Sequence, residues 1–110
     1  MKLPDFEKAI IPRKKLTDYL LSPSHRDGRG KAAFFVRFGF AADSWQTLAG
    51  ALLQHAAMHE VTKVEASPYG TRYVIDGNLQ TPDGRAPLVR VVWFIDDGEE
   101  IPRLVTAYPQ

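Results

Sequence analysis

The chain has 110 residues, of which 45% are hydrophobic, 11% aromatic and 25% charged. These values fit a single globular domain spanning residues 1–110 and exclude an intrinsically disordered chain. The sequence contains no cysteine, which excludes a disulfide framework, a thiol nucleophile and cysteine-ligated zinc or iron–sulfur sites. Because it shows no signal peptide or long apolar segment, we expect a cytoplasmic protein without membrane contact.

Charge is distributed unevenly along the chain. Residues 1–37 contain nine lysines and arginines and four acidic residues, a net charge of +5, which leaves −4 for the remainder of a chain with a net charge of +1. This asymmetry favours an anionic partner at the N-terminal part, with a nucleic acid or a phosphate ligand as candidates. A solvated basic surface is the alternative interpretation.

Apolar residues recur at helical spacing in three segments before residue 60. A Ser-Pro pair and a polar, glycine-containing loop at residues 24–30 separate the first segment from the second. The periodicity predicts helices over residues 13–21, 31–38 and 43–58, with Asp43 as the cap of the third.

The pattern changes to alternation and turns after residue 60, with four segments that are rich in β-branched and aromatic residues. These segments predict strands over residues 61–65, 71–79, 88–95 and 103–108. Because no helix separates the strands, the simplest sheet is an antiparallel meander. The predicted fold class is therefore α+β, with N-terminal helices packed on a four-stranded antiparallel meander in the order α-α-α-β-β-β-β.

One charged residue, Arg90, interrupts an otherwise apolar third strand. An unpaired guanidinium in a central strand is costly, so Arg90 must either pair with an acid or face a ligand. Asp76 and Glu65 are the acids that the neighbouring strands offer for a salt bridge. A ligand such as phosphate is the functional alternative.

Hydroxyl groups mark the last strand, where the period of two places Leu104, Thr106 and Tyr108 on one face. The two hydroxyls could join a polar site, or the residues could be ordinary strand formers. On the second strand, Arg72 and Tyr73 lie on opposite faces, and either is a candidate for substrate binding. The strand register decides between them.

The loop before the second predicted helix contains His25, and Arg29 and Lys31 follow it closely. These cations would attract a phosphate, and an imidazole is suited to general acid or base chemistry near neutral pH. His25 and Lys31 are therefore candidate catalytic residues, and Arg29 is a candidate substrate-binding residue. An exposed loop histidine without a chemical role is the simpler alternative.

Two further histidines, His55 and His59, have the i, i+4 spacing that some zinc sites use. The chain lacks the glutamate of the His-Glu-x-x-His pattern, so we expect two exposed histidines at the end of the third helix. Nucleotide-binding glycine motifs are absent as well. The sequence therefore predicts no metal and no cofactor.

The chain resembles, over nearly its whole length, a family of small bacterial proteins known only as a domain of unknown function. The resemblance is carried by residues 15–21, His25, Lys31, residues 38–40, 69–71, 73–74 and 81–85, and the ending Pro102-Arg103-Leu104-Val105-Thr106-Ala107-Tyr108-Pro109. Members of that family occur alone or at the C-terminus of toxin-like proteins, often beside a small gene that could encode an antitoxin. The resemblance implies a toxin-related context and a small cognate antitoxin protein as a partner.

The order of elements is also similar to that of the metal-independent ribonucleases that include barnase, colicin-type tRNases and RelE-type toxins. This resemblance implies RNA as a partner and attack of a ribose 2′-hydroxyl on the adjacent phosphate. By the same resemblance, His25 would be the base or the acid, Lys31 and Arg90 would stabilise the phosphate, and Thr106 and Tyr108 would donate hydroxyls.

Two functional hypotheses therefore follow. A toxin-type endoribonuclease requires His25, Lys31, Arg90 and Thr106 to converge on the open face of the sheet. A non-catalytic interaction or immunity module requires an exposed apolar patch without such convergence, and the near-neutral net charge favours it.

Overall fold

The helices and strands follow the predicted order in the computed structural model, which describes residues 1–110. The first helical segment starts as α1 (Arg13–Lys15) and continues as a π-helical turn (Leu16–Leu20). It is followed by α2 (Arg29–Arg37) and α3 (Trp45–Met58), and then by β1 (Lys63–Ser67), β2 (Gly70–Asn78), β3 (Leu88–Asp96) and β4 (Arg103–Pro109). None of the helices has the length and hydropathy that a membrane span would need. The predicted α+β fold is confirmed.

All four strands pair consecutively and antiparallel in the order β1-β2-β3-β4, which confirms the meander. β1 and β4 therefore form the two edges of the sheet. The β4 edge is partly covered, because Ile10 makes a parallel bridge to Arg103 there. The Ile10 amide donates to the Pro102 carbonyl at 2.9 Å, and its carbonyl accepts from the Leu104 amide at 3.2 Å. The chain thus enters α1 directly beside the last strand.

The main core lies between the helices and one face of the sheet. Alternate residues of β3, namely Val89, Val91 and Trp93, are fully buried on this face. They pack in one cluster with residues of the helices, among them Leu16, Leu20, Phe35, Leu48 and Leu52. Burial of such a side chain stabilises the fold by about 1.5–3 kcal/mol. The apolar stripes that predicted the helices thus supply the contacts that hold them on the sheet.

The opposite face of the sheet, here called the open face, carries the residues between those core positions. Val92 of β3 pairs across the strands with Val74 of β2 and with Thr106 of β4. Both valines are buried, although neither belongs to the main core cluster. Arg90 lies on the same face, since it is two residues from Val92 on the strand. The open face is therefore apolar at its centre and polar around it.

Two helix starts differ from the sequence-based expectation. α2 begins earlier than predicted, at Arg29, with Gly28 as its N-cap and no side-chain capping bond. The predicted cap of α3 by Asp43 is wrong, since the N-cap is Ser44 and it makes no side-chain capping bond. Asp43 lies instead in a short 3-10 turn, Ala42–Ser44, that leads into the helix.

The expectation of two exposed histidines at the end of α3 is wrong, because His55 is only 2% exposed and His59 is half-buried, with its Nε2 2.9 Å from the Asn78 carbonyl oxygen. The Nε2 of His55 lies 3.1 Å from the carbonyl oxygens of both Gly77 and Val89, so it joins α3 to two strands. The neighbouring His59 is close enough to Gly77 that a β-carbon at that glycine would lie 2.4 Å from the imidazole ring. The helical spacing of His55 did not indicate that backbone carbonyls of two strands would lie within hydrogen-bond distance of its ring.

Burial lowers the pKa of His55, and the nearby His59 lowers it further, whereas the two carbonyls raise it. The net shift is downward, so the unfolded chain binds a proton first as the pH falls below about 6.5. We predict that folding stability is highest above this pH and decreases as the pH falls toward the folded-state pKa. Chemical denaturation between about pH 7.5 and pH 5 measures this decline.

A His55→Gln variant tests the assignment, because glutamine keeps an N–H donor but does not titrate. It should be less stable at neutral pH by about 1–3 kcal/mol and should show a flatter acid decline. His59→Gln is the matched control and should retain most of the decline. An unchanged slope in His55→Gln would show that another group causes the acid sensitivity.

Candidate active site

Three polar side chains from distant parts of the chain meet beside β4. The hydroxyl of Tyr19 lies 3.0 Å from Oγ1 of Thr106, and Nζ of Lys31 donates to the same Oγ1 at 3.1 Å. Lys31 also donates to the Tyr19 hydroxyl. Each group of this cluster, here called the triad, therefore contacts the other two. The first helical segment, α2 and the edge strand contribute one residue each.

A close approach between two backbone segments brings Tyr19 and Lys31 together. Gly28, immediately before α2, lies so near the first helical segment that a β-carbon there would be 2.1 Å from the Tyr19 carbonyl oxygen. Only glycine fits this contact. The first turn of α2 then carries Lys31 past the Tyr19 ring, with Nζ 4.8 Å from the ring centroid.

A β-bulge in β4 turns Thr106 toward Tyr19 and Lys31. The pairing of β3 with β4 shifts between Val92 and Trp93, so that Leu104 pairs with Trp93 but Thr106 pairs with Val92. Val105 is the extra residue of the bulge. Leu104 consequently points into the core, whereas Thr106 lies on the open face. The expectation that Leu104 shares a face with Thr106 and Tyr108 is therefore wrong, because regular alternation does not continue through the bulge.

The electrostatic surroundings of Tyr19 favour its ionised form. Burial raises the pKa of the phenol, but the hydrogen bonds from Lys31 and Thr106 lower it, as do the charges of Lys31 and Lys15. The net effect holds the pKa of Tyr19 below its usual range. In its phenolate form such a side chain is suited to accept a proton, and the adjacent Lys31 ammonium stabilises the phenolate by donating a hydrogen bond to it.

His25 lies against the edge of the Tyr19 ring, with the two ring centroids 4.9 Å apart and the planes at 71°. Its Nδ1 accepts hydrogen bonds from the backbone amides of Asp27 and Gly28, both at 3.0 Å. The side chain therefore gives partners to two backbone amides in the loop immediately before α2. The sequence-predicted His25 and Lys31 thus lie on either side of Tyr19.

Tyr19 and Thr106 of the triad line a cleft of about 650 Å³ between the first helical segment, the His25 loop and the sheet, and Lys31 lies behind them, outside its lining. The lining of the cleft contains three lysine and arginine side chains and two acidic ones. The cleft is lined by Pro12, Lys14, Lys15, Asp18, Tyr19, His25, Asp27, Arg72, Val105 and Thr106. Arg72 contacts Glu65 at 3.5 Å and retains 45% side-chain exposure, so its guanidinium remains accessible to a ligand. The arrangement suits an anion with more than one phosphate.

The strand register resolves the choice between Arg72 and Tyr73. Tyr73 pairs with Trp93 and packs against the main core, on the face that the helices cover. Arg72 pairs with Phe94 on the open face and lines the cleft. The structure therefore brings Arg72, and not Tyr73, to the candidate site.

Arg29 also lies apart from the cleft. It is exposed on α2 and lines a separate, largely apolar groove of about 570 Å³ together with Ala33 and Val36. Helical geometry places Arg29 and Lys31 on different sides of α2, because residues two apart do not share a face. Of the two cations predicted after His25, only Lys31 reaches the triad.

Arg90 forms the salt bridge that the sequence offered as one of its two alternatives. Its Nε and Nη2 donate to the two carboxylate oxygens of Asp76 at 2.7 and 2.9 Å. This hydrogen bonding lowers the pKa of Asp76 and raises that of Arg90. Arg90 also lies opposite Tyr108 in the strand register, and the Tyr108 ring centroid is 5.7 Å from Nζ of Lys31. Tyr108 thus borders the triad, whereas Arg90 is one strand further away.

Sequence reasoning did not identify Tyr19 as a functional residue. Its position between Leu16 and Leu20 gave it the spacing of a core residue, and it does pack against the core. The available signal was its hydroxyl, since a partly buried tyrosine requires a hydrogen-bond partner. The partner could not be identified, because Thr106 is 87 residues away in the chain.

The structure contains no group of three or more histidine and acidic side chains that could hold a metal ion. The fold and the triad define a small α+β domain with a tyrosine, lysine and threonine site at the covered edge of an antiparallel sheet. The chain belongs to the family described as "Domain of unknown function (DUF6883)", whose model matches residues 2–110.

The same fold occurs in a solved structure described as "Contact-dependent growth inhibition toxin - immunity protein complex from Klebsiella pneumoniae 342". One chain of that complex superimposes with a TM-score of 0.72 at 20% sequence identity, over 93% of this chain and 100% of that chain. At this identity the likeness shows a shared fold. A comparison with curated proteins finds no significant match.

The glycines before and within α2 provide a matched test of how the triad is assembled. Gly28→Ala should destabilise the fold and separate Tyr19 from Lys31, because the new methyl group cannot fit beside the Tyr19 carbonyl. Gly30→Ala, where nothing lies within 4 Å of the β-carbon position, should be neutral or stabilising by up to about 1 kcal/mol. Thermal unfolding measures both. Equal effects of the two substitutions would contradict the close approach.

The ionisation of Tyr19 can be followed by ultraviolet difference titration toward alkaline pH. We predict a tyrosine that ionises at lower pH than a free phenol, and this phase should be missing in Tyr19→Phe. Lys31→Met should move the phase to higher pH, because it removes a hydrogen bond and a charge. Lys14→Met, which alters a lysine of the cleft that does not act on Tyr19, should leave it in place. Persistence of the phase in Tyr19→Phe would assign it to another tyrosine.

Proposed function

We propose that the protein is a metal-independent endoribonuclease of the toxin type. The observation that carries this proposal is the triad, in which Lys31 and Thr106 lower the pKa of Tyr19 at the wall of a cationic cleft. Cleavage of RNA through the 2′-hydroxyl needs a base, a cation near the phosphate and an acid for the leaving oxygen. The groups around Tyr19 can provide all three without a metal ion.

In the proposed reaction, the Tyr19 phenolate accepts the proton of the ribose 2′-hydroxyl. The 2′ oxygen then bonds to the adjacent phosphorus, and the bond from phosphorus to the 5′ oxygen breaks. Lys31 stabilises the negative charge that accumulates on the phosphate oxygens, and Tyr108 donates a proton to the departing 5′ oxygen. The products are a 2′,3′-cyclic phosphate and a 5′-hydroxyl end.

The remaining cations of the cleft bind the strand on either side of the reacting phosphate. Lys14, Lys15 and Arg72 line the same cleft as Tyr19, and their contacts with phosphates would make binding dependent on salt. Arg90 serves as a positioning residue beside Tyr108, because its guanidinium is already held by Asp76. Arg29 and Tyr73 have no part in this site.

The toxin context rests on the family resemblance and on the shared fold. The similar structure is described as a complex of a toxin with an immunity protein, and this description supports a cognate inhibitory protein as a partner of this chain. The cleft lies open beside the sheet, where such a partner could cover the triad. RNA is the proposed substrate.

A non-catalytic interaction or immunity module is the second candidate function. The groove on α2 favours it, because seven of its nine lining residues are hydrophobic. The chain's net charge of +1 also favours it, since proteins that act on polyanions are often more basic. This alternative assigns no chemistry to the triad, so activity measurements separate the two.

The decisive experiment is incubation of the purified protein with total RNA in the presence of EDTA. We expect cleavage that leaves 2′,3′-cyclic phosphate ends. Tyr19→Phe and Lys31→Met should each reduce the rate by about 100-fold or more, since each removes a group from the reacting centre. Thr106→Val, which preserves the shape of the side chain, should reduce it less.

Tyr69→Phe and Lys63→Met are the matched controls. Tyr69 is 80% exposed at the turn between β1 and β2, and Lys63 lies on the opposite edge strand. Both variants should cleave like the wild type. If folded wild-type protein at micromolar concentration, freed of any inhibitory partner, cleaves no RNA, the result contradicts the ribonuclease proposal and favours the interaction module.

A further inference from the structure

The loop that precedes α2 is held by the imidazole of His25. Nδ1 accepts from the amides of Asp27 and Gly28 at 3.0 Å each, as an asparagine oxygen does in an Asx turn, and this turn, here called the cap, immediately precedes α2. The carbonyl of His25 also accepts from the Arg29 amide at 3.0 Å. His25 thus accepts hydrogen bonds in this turn with both its ring nitrogen and its backbone carbonyl.

This geometry determines which ring nitrogen carries the proton. A proton on Nδ1 would point at the amide protons of Asp27 and Gly28, so the cap requires an unprotonated Nδ1. The neutral ring must then carry its proton on Nε2. Nε2 lies on the far side of the ring from the cap, in a side chain that lines the cleft, and it makes no hydrogen bond within the protein.

We propose that His25 is a fixed, neutral hydrogen-bond donor, whose Nε2–H binds a phosphate oxygen in the cleft beside Tyr19. This role deepens the proposed ribonuclease function and rests on it for the identity of the ligand. It differs from the acid or base role that the sequence implies. An Nε2 that already carries a proton cannot accept another, so accepting the 2′-hydroxyl proton falls to Tyr19, and His25 binds and orients the phosphate.

The tautomer can be measured without any assumption about activity. Long-range ¹H–¹⁵N spectra of the imidazole should show His25 Nδ1 as an unprotonated nitrogen and Nε2 as a protonated one. Addition of inorganic phosphate should shift the Nε2 resonance of His25 and leave that of His59 in place. A protonated Nδ1, or a His25 ring that does not respond to phosphate, would overturn the proposal.

The His25→Asn variant tests the hydrogen-bond donor role of Nε2 separately from the capping role of Nδ1. Asparagine can accept from the same two amides, so Tm should be retained, but its side chain is too short to replace Nε2 in the cleft. We expect phosphate affinity to fall about fivefold, the contribution of one neutral hydrogen bond. His25→Ala should lose both the affinity and part of the thermal stability. Unchanged phosphate affinity in His25→Asn would contradict the proposed donor.

Kinetics distinguish the donor from a general acid or base. For RNA cleavage, His25→Asn should raise KM about fivefold and leave kcat within about threefold of the wild type. A loss of kcat of about 100-fold with an intact Tm would assign His25 to proton transfer and overturn the inference. If the wild type cleaves no RNA, the ribonuclease proposal fails alone, while the tautomer and the phosphate measurements still decide the role of His25.

Discussion

The hydrogen bonds of Lys31 are the interaction on which the candidate site depends. The ammonium group joins the hydroxyl of Tyr19 to that of Thr106, and through them it connects the first helical segment to the edge strand across α2. Its position follows from backbone packing, because Gly28 lets α2 start in contact with the Tyr19 carbonyl. The site is therefore assembled by the same contact that closes the N-terminal helices over the β4 edge, so stability and chemistry are coupled there.

The fold could be read from the sequence because its signals are local. Helical periodicity, the turns and the absence of a helix between strands predicted the meander, and small shifts in element ends did not alter it. The assignment of β4 residues to the two faces of the sheet was harder to predict, because the regular alternation of side chains fails at the bulge at Val105. A bulge depends on how two strands fit together, and neither strand carries that information alone. His55 was misplaced for a related reason, because the carbonyls that it joins belong to other elements.

The candidate site was only partly predictable for the same physical reason. His25 and Lys31 belong to a polar, cation-rich stretch before an apolar helix, so composition drew attention to them. Tyr19 did not stand out, because a tyrosine in an apolar stripe looks like a core residue until its hydroxyl is located. The choice between Arg72 and Tyr73 required the register, which the turn and the pairing of β2 with β3 establish. Contacts between distant parts of the chain thus determined which of these residues reach the site, where local patterns left the choice open.

Arg90 and Lys31 are both candidate phosphate-binding cations in the sequence, but the structure leaves only the charge of Lys31 without an acidic partner. Arg90 is held by both oxygens of Asp76, so its charge is balanced within the sheet and little of it is available to an anion. Lys31 makes no salt bridge, and its hydrogen-bond partners are hydroxyl groups. When Tyr19 is neutral, the charge of Lys31 is unbalanced and, in the proposed reaction, is free to stabilise the phosphate. When Tyr19 is ionised, the same charge stabilises the phenolate that accepts a proton. A lysine with hydroxyl partners can therefore serve the phosphate and the base in turn, which a carboxylate-paired arginine cannot do.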